Sequence, residues 1–93
     1  MSAITAVRVT VTGRVQGVGF RYGTLQEARQ RGLSVWVRNL VDGSVEVVVQ
    51  GPAAAVDHLV DWLAAGPRFA SVTNLEVVAV EPDDGLVTFS VRF

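Results

Sequence analysis

The stretch Gly13-Arg14-Val15-Gln16-Gly17-Val18-Gly19-Phe20-Arg21 constrains this chain more than any other, because it leads from an alternating strand into a helix through glycine-punctuated backbone. Before it, Val7-Arg8-Val9-Thr10-Val11-Thr12 places valines on one face and polar residues on the other, the pattern of a strand covered on one side only. Glycines at 17 and 19 allow positive φ and a close approach of backbone to a ligand. The N–H groups of Val15, Gln16, Gly17, Val18, Gly19 and Phe20 can then converge on one anion, with the positive end of the following helix behind them. Arg21 would close such a cradle with a planar fork of donors matched to two phosphate oxygens. Spacing alone leaves two readings, a phosphate cradle and a turn that is glycine-rich for geometric reasons. The Walker A pattern is absent, and Gly17-x-Gly19 is followed by glycine at 23 instead of 22, so the dinucleotide fingerprint does not apply either.

Further along, Leu25, Ala28 and Gly32 fall at helical spacing, and Thr24-Leu25-Gln26-Glu27 has the form of a capping box, so local rules start the first helix at Thr24. Gly32 ends it. Val35-Trp36-Val37-Arg38-Asn39 reads as a second strand and Asp42-Gly43 as a hairpin turn. Val45 to Gln50 alternates as a third strand, with Val45, Val47 and Val49 on one face and Glu46, Val48 and Gln50 on the other. Pro52 suits the first turn of a second helix whose Val56, Leu59, Val60 and Leu63 form one apolar stripe, and Gly66-Pro67 stops it. Leu75, Val77 and Ala79, then Val87, Phe89, Val91 and Phe93, mark two more one-sided strands around a Pro82-Asp83-Asp84-Gly85 turn. The order predicts an α+β fold, a ferredoxin-like βαββαβ sandwich with two helices on one face of an antiparallel sheet and a C-terminal fifth strand.

The 93 residues fit one domain, residues 1–93, near the lower end of sizes that bury an adequate core without staples. A hydrophobic fraction of 49% against 18% charged residues argues against disorder. With no cysteine, disulfides, thiolate metal sites and a cysteine nucleophile are all excluded, and a reducing cytoplasm suits the chain. Met1-Ser2-Ala3-Ile4-Thr5 lacks the features of a signal peptide, and no apolar run approaches spanning length. A net charge of −1 offers no general attraction to nucleic acid or an anionic membrane, so any anion must be held locally. All eight basic residues are arginine, which a compositional habit of the genome explains without eight functional demands.

The nine-residue loop, with Thr24 and Ala28 after it and Trp36-Val37-Arg38-Asn39 further on, resembles the signature of the acylphosphatases. The similarity continues through Asp42-Gly43-Ser44-Val45-Glu46, Gln50-Gly51-Pro52 and Gly66-Pro67 to the last strand. One departure is Val35, where that family usually has glycine. The resemblance implies a helix start nearer Arg21 and a cytoplasmic hydrolase that cleaves the carboxyl-phosphate bond of a small acyl phosphate, releasing inorganic phosphate. It further implies that the reaction needs neither cofactor nor metal, that Arg21 binds the phosphoryl group, and that the Asn39 carboxamide positions the attacking water. A monomer is expected, although an edge strand leaves pairing with a second copy open.

Simpler readings exist for each residue. Arg21 at a helix start also suits a surface ion pair with Glu27, and Asn39 before a turn also suits an amide bonded to its own backbone. His58 lies about 200° from Val56 on the helical wheel and is expected in solvent without a role. Asp83-Asp84 reads as turn rather than metal pair, and Trp36 with Arg38 either lines the acyl side of a substrate or packs. Two other functions compete. The first is a module of the same fold that holds a phosphorylated ligand without turnover. The second is single-stranded RNA recognition on the open sheet face, which would need exposed aromatics where this chain has Arg8, Thr10, Thr12, Glu46, Val48 and Gln50.

Overall fold

The computed structural model describes residues 4–83 and 89–92. Its elements are β1 (Ile4–Arg14), α1 (Phe20–Gln30), β2 (Ser34–Asn39), β3 (Val45–Pro52), α2 (Ala53–Ala65), β4 (Ser71–Ala79) and β5 (Phe89–Arg92). They build one sheet in the order β4-β1-β3-β2-β5. The alternating valines account for its inner face: Val7, Val9 and Val11 from β1, Val35 and Val37 from β2, and Val45, Val47 and Val49 from β3 are all buried. Both helices cover that face. From α2 come Val56, Leu59 and Leu63, and from α1 come Phe20, Thr24 and Ala28. Burying a whole Val or Leu side chain is worth roughly 1.5–3 kcal/mol, so the valine rows and the α2 stripe carry most of the cohesion.

The ferredoxin-like βαββαβ arrangement is the expected one, and one strand pair departs from an all-antiparallel sheet. β1 runs antiparallel to β3 and β4, and β3 antiparallel to β2, whereas β5 lies parallel to β2 with Val35 opposite Phe89 and Val37 opposite Val91. Topology explains it. The chain leaves β4 on one edge and returns in the reverse direction on the other, which is the direction of β2. Along the way Val80 N donates to Ala6 O at 3.1 Å, and the Gln50 amide holds Asp83, with Nε2 donating to its carbonyl at 2.7 Å and Oε1 accepting from its N–H at 2.8 Å. Asp84 and Gly85 of the expected turn, and Val87 and Phe93 of the expected last strand, lie outside the described residues.

Three local readings change. First, α1 starts at Phe20, not at Thr24; Thr24 is a buried interior residue whose Oγ1 donates back to Phe20 O at 2.8 Å, the alternative use of a hydroxyl that mimics a cap in sequence. Second, β4 is not one-sidedly buried. Leu75 and Val72 pack on the core, but Val77, opposite Val9, is 44% exposed, and Ala79 is exposed as well. An edge strand has a neighbour on one side only, and α2 lies more over β1 and β3 than over β4. Third, Pro52 closes β3 and caps α2 from outside its first turn. Val35 raises no conflict: it is buried, in register opposite Val49, and adds to the valine layer.

Candidate active site

The residues between β1 and α1 form a shallow bowl over the start of α1. Gly17 and Gly19 adopt φ of 73° and 78°, the left-handed region open to glycine at little cost, and a Cβ added to either would meet nothing within 4 Å. These two glycines are therefore dictated by backbone conformation, and the space beside them is empty of protein. Gly13 has a different reason: β1 bulges between Thr12 and Gly13, and a side chain there would collide with the Ser71 carbonyl.

Hydrophobic plugs fix the bowl on both sides. Val15 and Phe20 are each 1% exposed, and the Phe20 ring packs against Trp62 of α2 with centroids 5.9 Å apart. Next to it, a methyl on Gly23 would come within 3.0 Å of Trp62 Cη2, so the two helices approach closely at that point. With Gly19 as its N-cap, α1 has no side-chain capping bond and no acidic residue in its first turn. Its first-turn N–H groups thus receive no side-chain cap.

A cavity of about 240 Å³ lies at this helix end, lined by Val15, Gly17, Gly19, Phe20, Arg21 and Tyr22. Arg21 is half-buried at the second helical position, and Tyr22, which sequence reasoning did not single out, is 74% exposed on the rim. Gln16 and Val18 belong to the same loop, half-buried, outside the lining.

Asn39 ends β2, half-buried and paired with Val45. Its Oδ1 is enclosed and accepts no hydrogen bond among the described residues. The hairpin that follows is closed by Leu40 N to Ser44 O at 2.8 Å and Gly43 N to Leu40 O at 3.1 Å. Asp42 Oδ1 accepts from Ser44 Oγ at 2.5 Å and from Ser44 N at 2.9 Å, and these bonds hold its carboxyl below the usual aspartate value of 3.8. One side chain ties hairpin to loop. Gln16 Nε2 donates to Leu40 O at 2.8 Å and to Ser44 O at 2.9 Å, so the loop of β1 is bonded to the residue that follows Asn39.

The remaining candidates stand apart. His58 is exposed on α2 with Nδ1 3.4 Å from Arg31 Nη1. Arg38 stacks 5.5 Å from the Trp36 ring and donates from Nε to Glu46 Oε1 at 2.7 Å, so this pair packs on the open face beside its cross-strand partner. That face carries no aromatic on β1 or β3, and the described residues include no helix long and apolar enough to cross a membrane.

Fold and site together define an α+β sandwich with a glycine-lined bowl at a helix start, and known proteins share the fold. The acylphosphatase family model matches residues 7–91. An acylphosphatase of Trichormus variabilis is 50% identical over 91 residues, covering 98% of this chain and 89% of its own. One from Gloeobacter violaceus is 52% identical over 89 residues, covering 94% of this chain and 95% of its own. The crystal structure of acylphosphatase from Bacillus subtilis superposes with a TM-score of 0.90 at 39% identity, over 96% of this chain and 99% of that one. The chain belongs to the acylphosphatase family. With that membership it is a hydrolase, and its substrate class is the small acyl phosphates.

Proposed function

We propose that the bowl binds the phosphoryl group through the N–H groups of Val15, Gln16, Gly17, Val18, Gly19 and Phe20 together with the Arg21 guanidinium, and that Asn39 holds the attacking water. The observation that carries this reading is the pair of left-handed glycines beside an uncapped helix start, with open space at both. Phosphoryl transfer spreads negative charge over three equatorial oxygens. N–H dipoles and a guanidinium held in place around the phosphoryl group would stabilise that charge with little reorganisation. The leaving group is a carboxylate, a weak base that departs without protonation, so no strong general acid is required.

Water enters opposite the leaving oxygen, with the Asn39 carboxamide as its holder. The enclosed Oδ1 without a donor supports this role, because a buried acceptor gains most from a bound molecule that supplies a proton. A phosphate oxygen of the substrate accepts the water's proton, so that the P–O bond to water forms as the P–O bond to the carboxylate breaks. The reaction runs without metal or cofactor. The chain works as a one-domain monomer in the cytoplasm.

Steady-state hydrolysis of benzoyl phosphate in chelating buffer tests the assignment. The wild type is expected to turn over. Arg21→Ala should lose about 10³-fold or more in kcat/KM and also lose competitive inhibition by inorganic phosphate, while Asn39→Ala should lose about 10²–10³-fold, mainly in kcat. Turnover by Asn39→Ala at the wild-type rate would remove the water-positioning role. Wild-type protein that binds phosphate yet cleaves nothing would point to the module that holds its ligand without turnover.

A further inference from the structure

We infer that the Gln16 side chain is a positioning residue that sets Asn39 against the phosphate bowl; this rests on the reading of Asn39 given above. Gln16 donates to the carbonyls of Leu40 and Ser44, residues 24 and 28 positions away. The amide orientation is settled by chemistry: two carbonyl acceptors require the NH₂ end, since turning Oε1 toward them would gather three acceptors with no proton.

Each bonded carbonyl already has a donor of its own. Leu40 O accepts from Gly43 N and Ser44 O accepts from Leu40 N, so the hairpin closes without help from Gln16. What Gln16 adds is a link between elements. Val15 on one side of it and Phe20 further on are plugged into the core, which fixes the loop end of the tether. The other end grips both sides of the hairpin root, one residue beyond Asn39 at Leu40 and one before its strand partner Val45 at Ser44. In-line attack requires phosphorus and water to be placed in agreement, yet the bowl places the first and β2 the second. A misplacement of about 1 Å between such groups can cost about 10²-fold in rate. A bidentate amide of fixed length is the direct bond between the two.

A double-mutant cycle tests this. Gln16→Met keeps the length and the backbone N–H but removes both donors. It is expected to lower kcat for benzoyl phosphate about 10- to 30-fold, with the inhibition constant for inorganic phosphate changed less than about twofold. In an Asn39→Ala background the same change should cost less than about threefold, since the group being positioned is gone. A merely structural role would lower the unfolding temperature but give the same fold-loss in both backgrounds, and that result overturns the proposal. So does a phosphate inhibition constant that worsens in step with kcat. Gln16→Asn, one methylene shorter and unable to reach both carbonyls, repeats the test should the methionine variant fold poorly. If Asn39→Ala alone retains the wild-type kcat, the underlying water-positioning reading has failed and the proposal falls with it. Equal losses on top of a real Asn39 effect reject only the coupling.

Discussion

The two helices lie on the same sheet face and are built on opposite principles. Helix α2 buries Val56, Leu59 and Leu63 and places Asp57, His58 and Asp61 outward, an amphipathic packing helix. Helix α1 buries Phe20, Thr24 and Ala28, one large apolar residue among small ones, and carries Gly23 and Thr24, both poor helix formers, in its first half. Its ends also differ. At the C-terminus, Leu33 N reaches Ala28 O at 2.9 Å and Gly32 N reaches Arg29 O at 3.2 Å, with Gly32 at φ 68° and Leu33 buried. This is a complete Schellman closure. The N-terminus has no such closure. The contrast teaches that α1 is held from outside, by Trp62 against Phe20 and by its sealed C-terminus, so that its first turn stays open to a ligand. Helix α2 is built for packing, and the chemistry proposed for the bowl falls at the start of α1.

The most direct way to break that division is to hollow out α2. Leu59→Ala should lower stability by about 3 kcal/mol, within the usual 2–5 kcal/mol range for such a cavity, and the unfolding temperature by more than about 10 °C. Rate per folded molecule should stay near wild type well below that temperature. Denaturant unfolding read beside benzoyl phosphate turnover checks both, and a large loss of kcat in fully folded protein would show that α2 shapes the site as well as the core.

Gly19→Ala asks the converse. Nothing crowds the added methyl, so the only penalty is the left-handed backbone, about 1–2 kcal/mol. Stability should therefore fall less than in Leu59→Ala, while kcat/KM falls far more, about 10-fold or beyond, because relaxing φ re-aims the N–H groups around it. If the larger loss lay in stability and phosphate binding survived, Gly19 would be a turn residue only.

The same division governs how much the sequence revealed. Helix α2 was legible because its stripe is local and periodic, and the valine rows of β1 and β3 were legible for the same reason. The left-handed backbone at Gly17 and Gly19 was readable because few other residues tolerate it. Helix α1 was harder: its start is set by Gly19 and the plug of Phe20, whereas Thr24 imitates a cap in sequence and spends its hydroxyl on Phe20 O. Long-range arrangements left no local trace. The parallel pairing of β5 with β2, the exposure of Val77 on the β4 edge and the reach of Gln16 to Leu40 all depend on which elements the fold makes neighbours. Glutamine in the loop could be assigned an N–H toward the anion, but its side-chain partners, 24 and 28 residues away, have no signature in spacing.

The smallest expected effect sharpens the comparison at the hairpin that Gln16 grips, where polar side-chain bonds hold the chain. Ser44 Oγ and N both donate to Asp42 Oδ1, the hydroxyl being the larger influence, and they favour the ionised carboxyl. The folded value is thus depressed below 3.8. The linked stability is fully present above the unfolded value and is lost as pH falls through the folded one. Because Asp42 is exposed, solvent screens the interaction and global stability should barely register it. The direct readout is the Asp42 carboxyl resonance in an NMR titration. In wild type its midpoint should lie below 3.8, and Ser44→Ala should move it back toward that value while the backbone donor keeps part of the depression. An unmoved midpoint would mean that the backbone N–H alone holds the charge, and the depressed carboxyl value would then come from chain geometry instead of the serine hydroxyl.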